Sequence, residues 1–168
     1  MKKHFVLLTS VLGFAALTVQ MISSVERKLE QGYSLLYALN HYFSYFTVII
    51  NSTVAVMLLT YYFFPESKIA TWFKKKSVNG ALCLYILIVG LIFYALLYPT
   101  STEEGIQALA SHVLHGYVPL AYAYLWYSEF SKMNLAYRDS VKWLSVPLVY
   151  FIYLILRGEL IGKYPYFF

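Results

Sequence analysis

The sequence predicts an all-α protein, a polytopic transmembrane helical bundle of about five spans with a cytoplasmic N-terminus. Three observations predict this class. The chain is 60% apolar and 20% aromatic, and only 12% of its residues are charged. Its charges cluster between apolar runs, several of which carry none over about 20 residues, the length that a spanning helix needs. Soluble helices need a solvated face, so this pattern is typical of a membrane protein.

Five apolar segments are long enough to cross the hydrocarbon core. They lie at Phe5–Ser24, Tyr42–Phe64, Val78–Tyr98, Ile106–Tyr127 and Val141–Leu156. A signal peptide is the alternative for the first segment, but its apolar core exceeds the usual length of roughly 7–15 residues and no A-x-A site follows. No internal repeat or Gly/Ser-rich linker divides the chain, so we expect one helical-bundle domain over residues 1–168.

The distribution of positive charges predicts the orientation in the cell membrane. With the N-terminus inside, the cytoplasmic segments hold nine cations: Lys2, Lys3, Lys68, Lys74, Lys75, Lys76, Lys132, Arg138 and Lys142. The outer segments hold four: Arg27, Lys28, Arg157 and Lys163. This asymmetry follows the positive-inside rule. The net charge of +5 therefore indicates topology signals and membrane lipids as partners, and not nucleic acid.

A polar column follows the second predicted span. Ser44, Thr47 and Asn51 fall within an arc of about 60° if this segment is one helix. With the predicted topology, Thr47 lies about 8 Å and His115 about 13 Å from the outer ends of their helices, at 1.5 Å per residue. We therefore expect the two side chains to meet in the outer half of the membrane if the second and fourth helices pack together.

The fourth span has its own polar face and a proline. Ser111, His115 and Tyr122 share an arc of about 40° on a regular helix. Pro119 lacks an N–H group, so the carbonyl of His115, four residues earlier, loses its helical partner. The sequence therefore predicts an irregularity at this point, with Gly116 allowing another group to approach closely.

The acidic residues limit the chemistry. None of the eight lies in the middle of a span, which excludes a buried carboxylate pair and an intramembrane Ser-His-Asp triad. An alcohol beside a histidine remains: Thr47 as nucleophile and His115 as general base, the parts needed for acyl transfer. The amide of Asn51 or the hydroxyl of Tyr122 would stabilise the oxyanion.

Two other interpretations use the same residues. The polar column, with Ser44 and Asn51, and the histidines could serve only as hydrogen-bonding contacts between helices in a non-catalytic protein that binds a lipid or small solute or scaffolds a partner. Alternatively, His112 and His115, at i and i+3, could bind a metal together with His41. We expect no cofactor.

Three motifs, in order, resemble the androgen-induced-gene family of membrane proteins and its uncharacterised bacterial relatives. YFTVIIN is similar to the second helix of that family, HGYVPLAYAYLWY to the fourth, and WLSVPLVYFIYLILRGELIGKYPYFF to the fifth helix and tail. The positions that match are His115, Pro119, Trp126, Trp143, Pro147, Tyr150, Arg157, Gly158, Gly162, Tyr164, Pro165 and Tyr166. The resemblance covers most of the chain from Tyr42 onward.

This resemblance implies an activity. Animal members of the family are threonine hydrolases that cleave fatty acid esters of hydroxy fatty acids, with a threonine in the second helix and a histidine in the fourth. It therefore implies a lipid ester substrate, Thr47 as nucleophile and His115 as base, with His112 as the alternative histidine. The chain departs from the family at Phe167, where proline is usual, and the family continues into a sixth helix where this sequence ends at Phe168.

Overall fold

The structure, a computed structural model, describes residues 3–129 and 137–164. In these two ranges the chain forms helices and no strand, as the sequence predicts. The α-helices are α1 (Lys3–Glu30), α2 (Leu35–Phe43), α3 (Phe46–Phe63), α4 (Lys68–Phe73), α5 (Lys76–Ile92), α6 (Gly105–His112), α7 (Val118–Glu129), α8 (Tyr137–Trp143) and α9 (Ser145–Ile161). Five residues used in the charge and motif predictions lie outside the described residues: Lys2, Lys132, Pro165, Tyr166 and Phe167.

Four helical stretches are long and apolar enough to cross a membrane: Lys3–Glu30, Phe46–Phe63, Lys76–Thr100 and Tyr137–Ile161. They correspond to the first, second, third and fifth predicted spans. The fourth predicted segment is helical throughout, but it is not among these four. Its Gln107, His112 and His115 make it less apolar than the others.

The second predicted span is not one helix, and this prediction is wrong at its N-terminal end. α2 ends at Phe43 and α3 begins at Phe46, so Ser44 lies in the break between them. The Ser44 hydroxyl donates to the Asn40 carbonyl at 2.5 Å, and the first amide of α3, on Phe46, donates to the Tyr150 hydroxyl at 3.0 Å. These side chains satisfy backbone groups that a continuous helix would pair internally. Ser44 therefore does not belong to a column on α3.

The predicted irregularity before Pro119 is confirmed. Residues Val113–Tyr117 form a π-helical turn between α6 and α7. The predicted close approach at Gly116 is also confirmed, because a Cβ atom there would lie 2.7 Å from the Tyr94 hydroxyl. A similar π-helical turn, Phe93–Leu97, extends α5.

Four helical units form the bundle, with α1 and α5 each contacting both α3 and the α6–α7 unit. Ser10 of α1 bonds the carbonyl of Ala55 on α3, while the carbonyl of Leu17 accepts from Tyr42 on α2, so α1 runs antiparallel to the α2–α3 segment. Because α1 and α5 each lie between them, α3 and the α6–α7 unit lie diagonally across the bundle. The α4–α5 junction, with Lys74–Lys76, marks one end of the bundle, which we call the lysine end.

α9 lies at the periphery. Only 11% of the most apolar window in Tyr137–Ile161 is buried, against 50% for α3. Its contacts with the bundle include hydrogen bonds of Tyr150 and Tyr153 to the α2–α3 break. A large exposed apolar surface on α9 is expected of a helix that faces lipid.

Candidate functional site

Buried neighbours of Thr47 and His115 pack in one cluster of the bundle. Thr47 is half-buried in the first turn of α3. The next residue, Val48, belongs to one buried cluster with Leu114, the residue before His115. The cluster lies at the end of the bundle opposite the lysine end, since it also contains Tyr42 at the end of α2.

Two contacts fix the His115 ring. Its Nδ1 lies 2.8 Å from the Ser111 carbonyl oxygen, and the ring stacks on Phe93 with 3.9 Å between centroids and 10° between planes. A carbonyl oxygen only accepts, so Nδ1 carries the hydrogen. Nε2 of the neutral ring is therefore a proton acceptor, the form that a general base needs.

Thr47 and Asn51 are linked through the backbone. The Asn51 side-chain amide donates to the Thr47 carbonyl at 3.0 Å, while its Oδ1 is buried without a hydrogen-bond partner. Within residues 3–129 and 137–164, no hydrogen bond joins the Thr47 hydroxyl to His115. The predicted meeting of the two side chains required α3 to pack against the α6–α7 unit, but these units lie diagonally across the bundle and the two side chains are not bonded.

A carboxylate lies beside this site, which the sequence did not predict. Glu103, in the loop before α6, accepts from the Ser111 hydroxyl, and that hydroxyl also accepts from Nε2 of Gln20 at 2.8 Å. Ser111 is one helical turn before His115, and the charge of Glu103 acts on the His115 ring. The sequence feature that could have predicted this contact is the position of Glu103, two residues before the start of α6. A side chain at such a position can fold back over the first turns of the helix.

His112 faces a different group from His115. Its Nδ1 lies 3.0 Å from the Tyr94 hydroxyl, and the two rings stack at 6.0 Å. It lines a cavity of about 330 Å³ together with Phe93, Tyr98, Pro99, Ser101, Glu103, Ala108 and Ser111. The cavity therefore opens beside Phe93, the ring on which His115 stacks.

Tyr122 lies away from this site. Its hydroxyl donates to Oδ1 of Asn79 at 2.8 Å, in the first turn of α5 at the lysine end, whereas His115 stacks beyond the last turn of α5. The predicted shared face of Tyr122 with Ser111 and His115 assumed a regular α-helix. The π-helical turn inserts a residue between them and rotates the following helix by roughly 100°. Tyr122 is therefore not positioned as an oxyanion donor at His115.

The histidines of the alternative metal site have separate partners. His41 bonds the Tyr45 hydroxyl, His112 bonds Tyr94 and His115 bonds the Ser111 carbonyl. In the described part of the chain, no three His, Cys, Asp or Glu side chains come together in a group that could hold a metal ion.

Fold and site define a class: an all-helical protein with four helices able to cross a membrane and a polar site at the end opposite the lysine end. Comparison of the chain with models of protein families, with curated proteins and with solved structures finds no match. The resemblance to the androgen-induced-gene family therefore remains a prediction from the motifs.

Proposed function

We propose that this protein is an integral membrane hydrolase that cleaves a fatty acyl ester with Thr47 and His115. The Thr47 hydroxyl attacks the carbonyl carbon, and its proton passes to Nε2 of His115. When the ester C–O bond breaks, the alcohol leaves with that proton and the acyl group stays on Thr47. Water, deprotonated by the same imidazole, then releases the fatty acid and regenerates the threonine.

The observation that carries this proposal is the fixed ring of His115, which follows Leu114 in a buried cluster that Val48, the residue after Thr47, also joins. Its Nδ1 hydrogen is held by the Ser111 carbonyl and its face by Phe93, so Nε2 is the basic atom. Val48 and Leu114, the neighbours of the pair, pack in one cluster. Catalytic hydrogen bonds often form only when substrate binds, so the missing bond to Thr47 is compatible with the chemistry.

Two further groups support the same reaction. Glu103 lies close enough for its charge to stabilise the imidazolium that forms when His115 takes the proton. Asn51 donates one amide hydrogen to the Thr47 carbonyl, and its second hydrogen is the remaining donor for the developing oxyanion. The cavity beside Phe93 gives the polar part of a substrate access to this end of the bundle.

The test measures hydrolysis of a fluorogenic fatty acyl ester by the purified protein in detergent, together with labelling by a fluorophosphonate probe. We expect Thr47→Ala to abolish labelling and turnover, and His115→Gln to lower turnover by about 10²–10⁴-fold. Thr53→Ala is the matched control, since Thr53 lies on the same helix and its hydroxyl bonds the Ile49 carbonyl at 2.7 Å. Unchanged turnover in Thr47→Ala would refute the hydrolase proposal.

A second candidate is non-catalytic lipid binding, favoured by a crevice between α9 and the α2–α3 break. It has a volume of about 370 Å³ and is lined by Phe43, Phe46, Ile49, Val146, Val149, Tyr150 and Tyr153. This apolar lining suits an acyl chain and includes neither Thr47 nor His115. If it is the functional site, Val149→Trp will lower the amount of copurified lipid, measured by mass spectrometry, while Thr47→Ala leaves it unchanged.

A further inference from the structure

Arg157 is buried on a helix whose surface is mostly exposed. Only 4% of the residue is accessible, although its neighbours Leu156 and Leu160 are 58% and 86% exposed. Its Nη1 donates to the Lys163 carbonyl at 3.2 Å, while Nε and Nη2 are buried without hydrogen-bond partners. No carboxylate of the described residues pairs with it. A buried guanidinium with two unsatisfied nitrogens is costly unless an acceptor reaches it.

His41, on α2, is also buried with a ring nitrogen that has no hydrogen-bond partner. It is 8% exposed, its Nε2 lies 2.9 Å from the Tyr45 hydroxyl, and its Nδ1 is buried without a partner. When Nε2 accepts from the tyrosine, Nδ1 carries the hydrogen and is a third unsatisfied donor beside the two nitrogens of Arg157.

The register of α2 and α9 brings these two residues opposite each other. Just after the C-terminal end of α2, the Ser44 hydroxyl bonds the Tyr153 hydroxyl of α9 at 2.9 Å. Before the N-terminal end of α2, Tyr33 accepts from Lys163, which follows α9. His41 lies about one turn before Ser44, and Arg157 one turn after Tyr153. Burial, followed by the charges of Lys28 and Arg157, lowers the pKa of His41 to about 4. Arg157 therefore lies close enough to affect the His41 ring.

We propose that Arg157 and His41 form a binding site for an oxyanion, a phosphate or carboxylate, at the head of an amphipathic lipid. Two oxygens of such a group accept from Nε and Nη2 of Arg157, and a third contact comes from Nδ1 of His41. Lys28 and Lys163, both over the Tyr33 ring at 5.6 and 4.6 Å, give the entrance a positive charge.

The apolar crevice supports a lipid as the source of the oxyanion. Tyr153 lines the crevice and lies one turn before Arg157, so an acyl chain in the crevice places its head group near the guanidinium. The site uses neither Thr47 nor His115. Loss of hydrolysis in Thr47→Ala and loss of anion binding in Arg157→Gln are therefore separate results.

The test is native mass spectrometry of the full chain in neutral detergent. Separate arms contain dioleoyl phosphatidylglycerol, dioleoyl phosphatidylcholine, oleate and inorganic phosphate. We expect wild type to bind one phosphatidylglycerol or one oleate at least tenfold more tightly than phosphatidylcholine. Binding by phosphate alone, with competition against the lipid, identifies a small-anion site, and binding by only one lipid identifies its head group.

Arg157→Gln is expected to weaken anion binding at least tenfold. Arg27→Gln is its control, because it removes the same charge from an exposed position at the same end of the bundle. His41→Ala gives an independent second variant if Arg157→Gln does not fold, and it is expected to weaken binding by several-fold. The proposal is overturned if wild type binds no anion selectively, if folded Arg157→Gln binds as wild type does, or if His41→Ala has no effect where Arg157→Gln does not fold.

Discussion

Gly90 of α5 packs directly against the backbone carbonyl of His115. A Cβ atom at Gly90 would lie 2.5 Å from that oxygen and 3.3 Å from Cγ of Pro119. The residue four positions after this carbonyl is Pro119, which has no N–H group to donate to it as an α-helix would require. The proline-containing turn and the glycine of α5 thus form one close backbone contact, which also places Phe93 against the His115 ring.

Gly90→Ala is therefore expected to force α5 away from the α6–α7 unit. The added methyl meets backbone, which cannot move aside as a flexible side chain can, so we expect a loss of about 1–3 kcal/mol of stability. Thermal unfolding in detergent measures it. Gly13→Ala is the matched control, since its Cβ atom would meet only ordinary contacts at 3.7 and 3.8 Å. Equal melting temperatures for Gly90→Ala and wild type would contradict this packing.

A second prediction concerns Asn79, a fully buried residue that connects three helices. It accepts from Tyr122 at 2.8 Å and donates to Tyr61 at 3.1 Å and to the Phe73 carbonyl. Tyr122→Phe leaves one buried acceptor unsatisfied, so we expect a loss of about 1–3 kcal/mol. Tyr124→Phe, at a half-exposed position on the same helix, should have little effect in the same thermal unfolding assay.

A variant with both Asn79→Leu and Tyr122→Phe tests whether these two side chains stabilise the protein through their shared hydrogen bond or independently of each other. If Tyr122 acts through Asn79, Asn79→Leu and Tyr122→Phe together will cost less than the sum of the two single variants. Additive losses would show that the hydroxyl and the amide contribute independently.

Tyr150 closes the break between α2 and α3. Its hydroxyl donates to the Ser44 carbonyl at 2.8 Å and accepts from the Phe46 amide at 3.0 Å. Tyr150→Phe removes the acceptor of that amide, so we expect faster hydrogen exchange at the start of α3, measured by mass spectrometry. Tyr153→Phe is the control, because the Tyr153 hydroxyl bonds the side chain of Ser44 and not a backbone group. Equal exchange rates at Phe46 in both variants would contradict the role of Tyr150.

Much of this fold follows from the sequence because long apolar runs allow few alternatives. Four predicted spans coincide with helices able to cross a membrane, and Pro119 predicted the irregular turn correctly, since a missing N–H acts locally. The break at Ser44 could not be predicted in this way. It depends on Tyr150, more than 100 residues away, whose hydroxyl replaces a helical partner.

The site was predictable to a similar extent. Chain direction predicts correctly that the residues next to Thr47 and His115 lie toward the same end of the bundle. Local periodicity failed for Tyr122, because a π-helical turn changes the phase of the helix between it and His115. Glu103 was missed for another reason: a loop side chain folds back onto Ser111, and helix periodicity describes no such contact.

The last prediction concerns pH and His41. Burial first, and then Lys28 and Arg157, lowers the pKa of this histidine from 6.5 to about 4 in the folded protein. Between these values the unfolded chain binds a proton that the folded protein does not, so stability is lost as pH falls from about 6.5 towards 4. His41 also contacts Tyr45 by a hydrogen bond and Tyr37 by stacking.

His41→Gln removes this titration while keeping a polar side chain of similar length. We expect the melting temperature of wild type to fall more steeply than that of His41→Gln between pH 6.5 and pH 4, the range that the two pKa values define. Other titrating groups are the same in both proteins and cancel in the comparison. A bound oxyanion favours the protonated ring, so oleate or phosphatidylglycerol should reduce the difference. Parallel pH profiles without lipid would show that His41 is not held neutral by its surroundings.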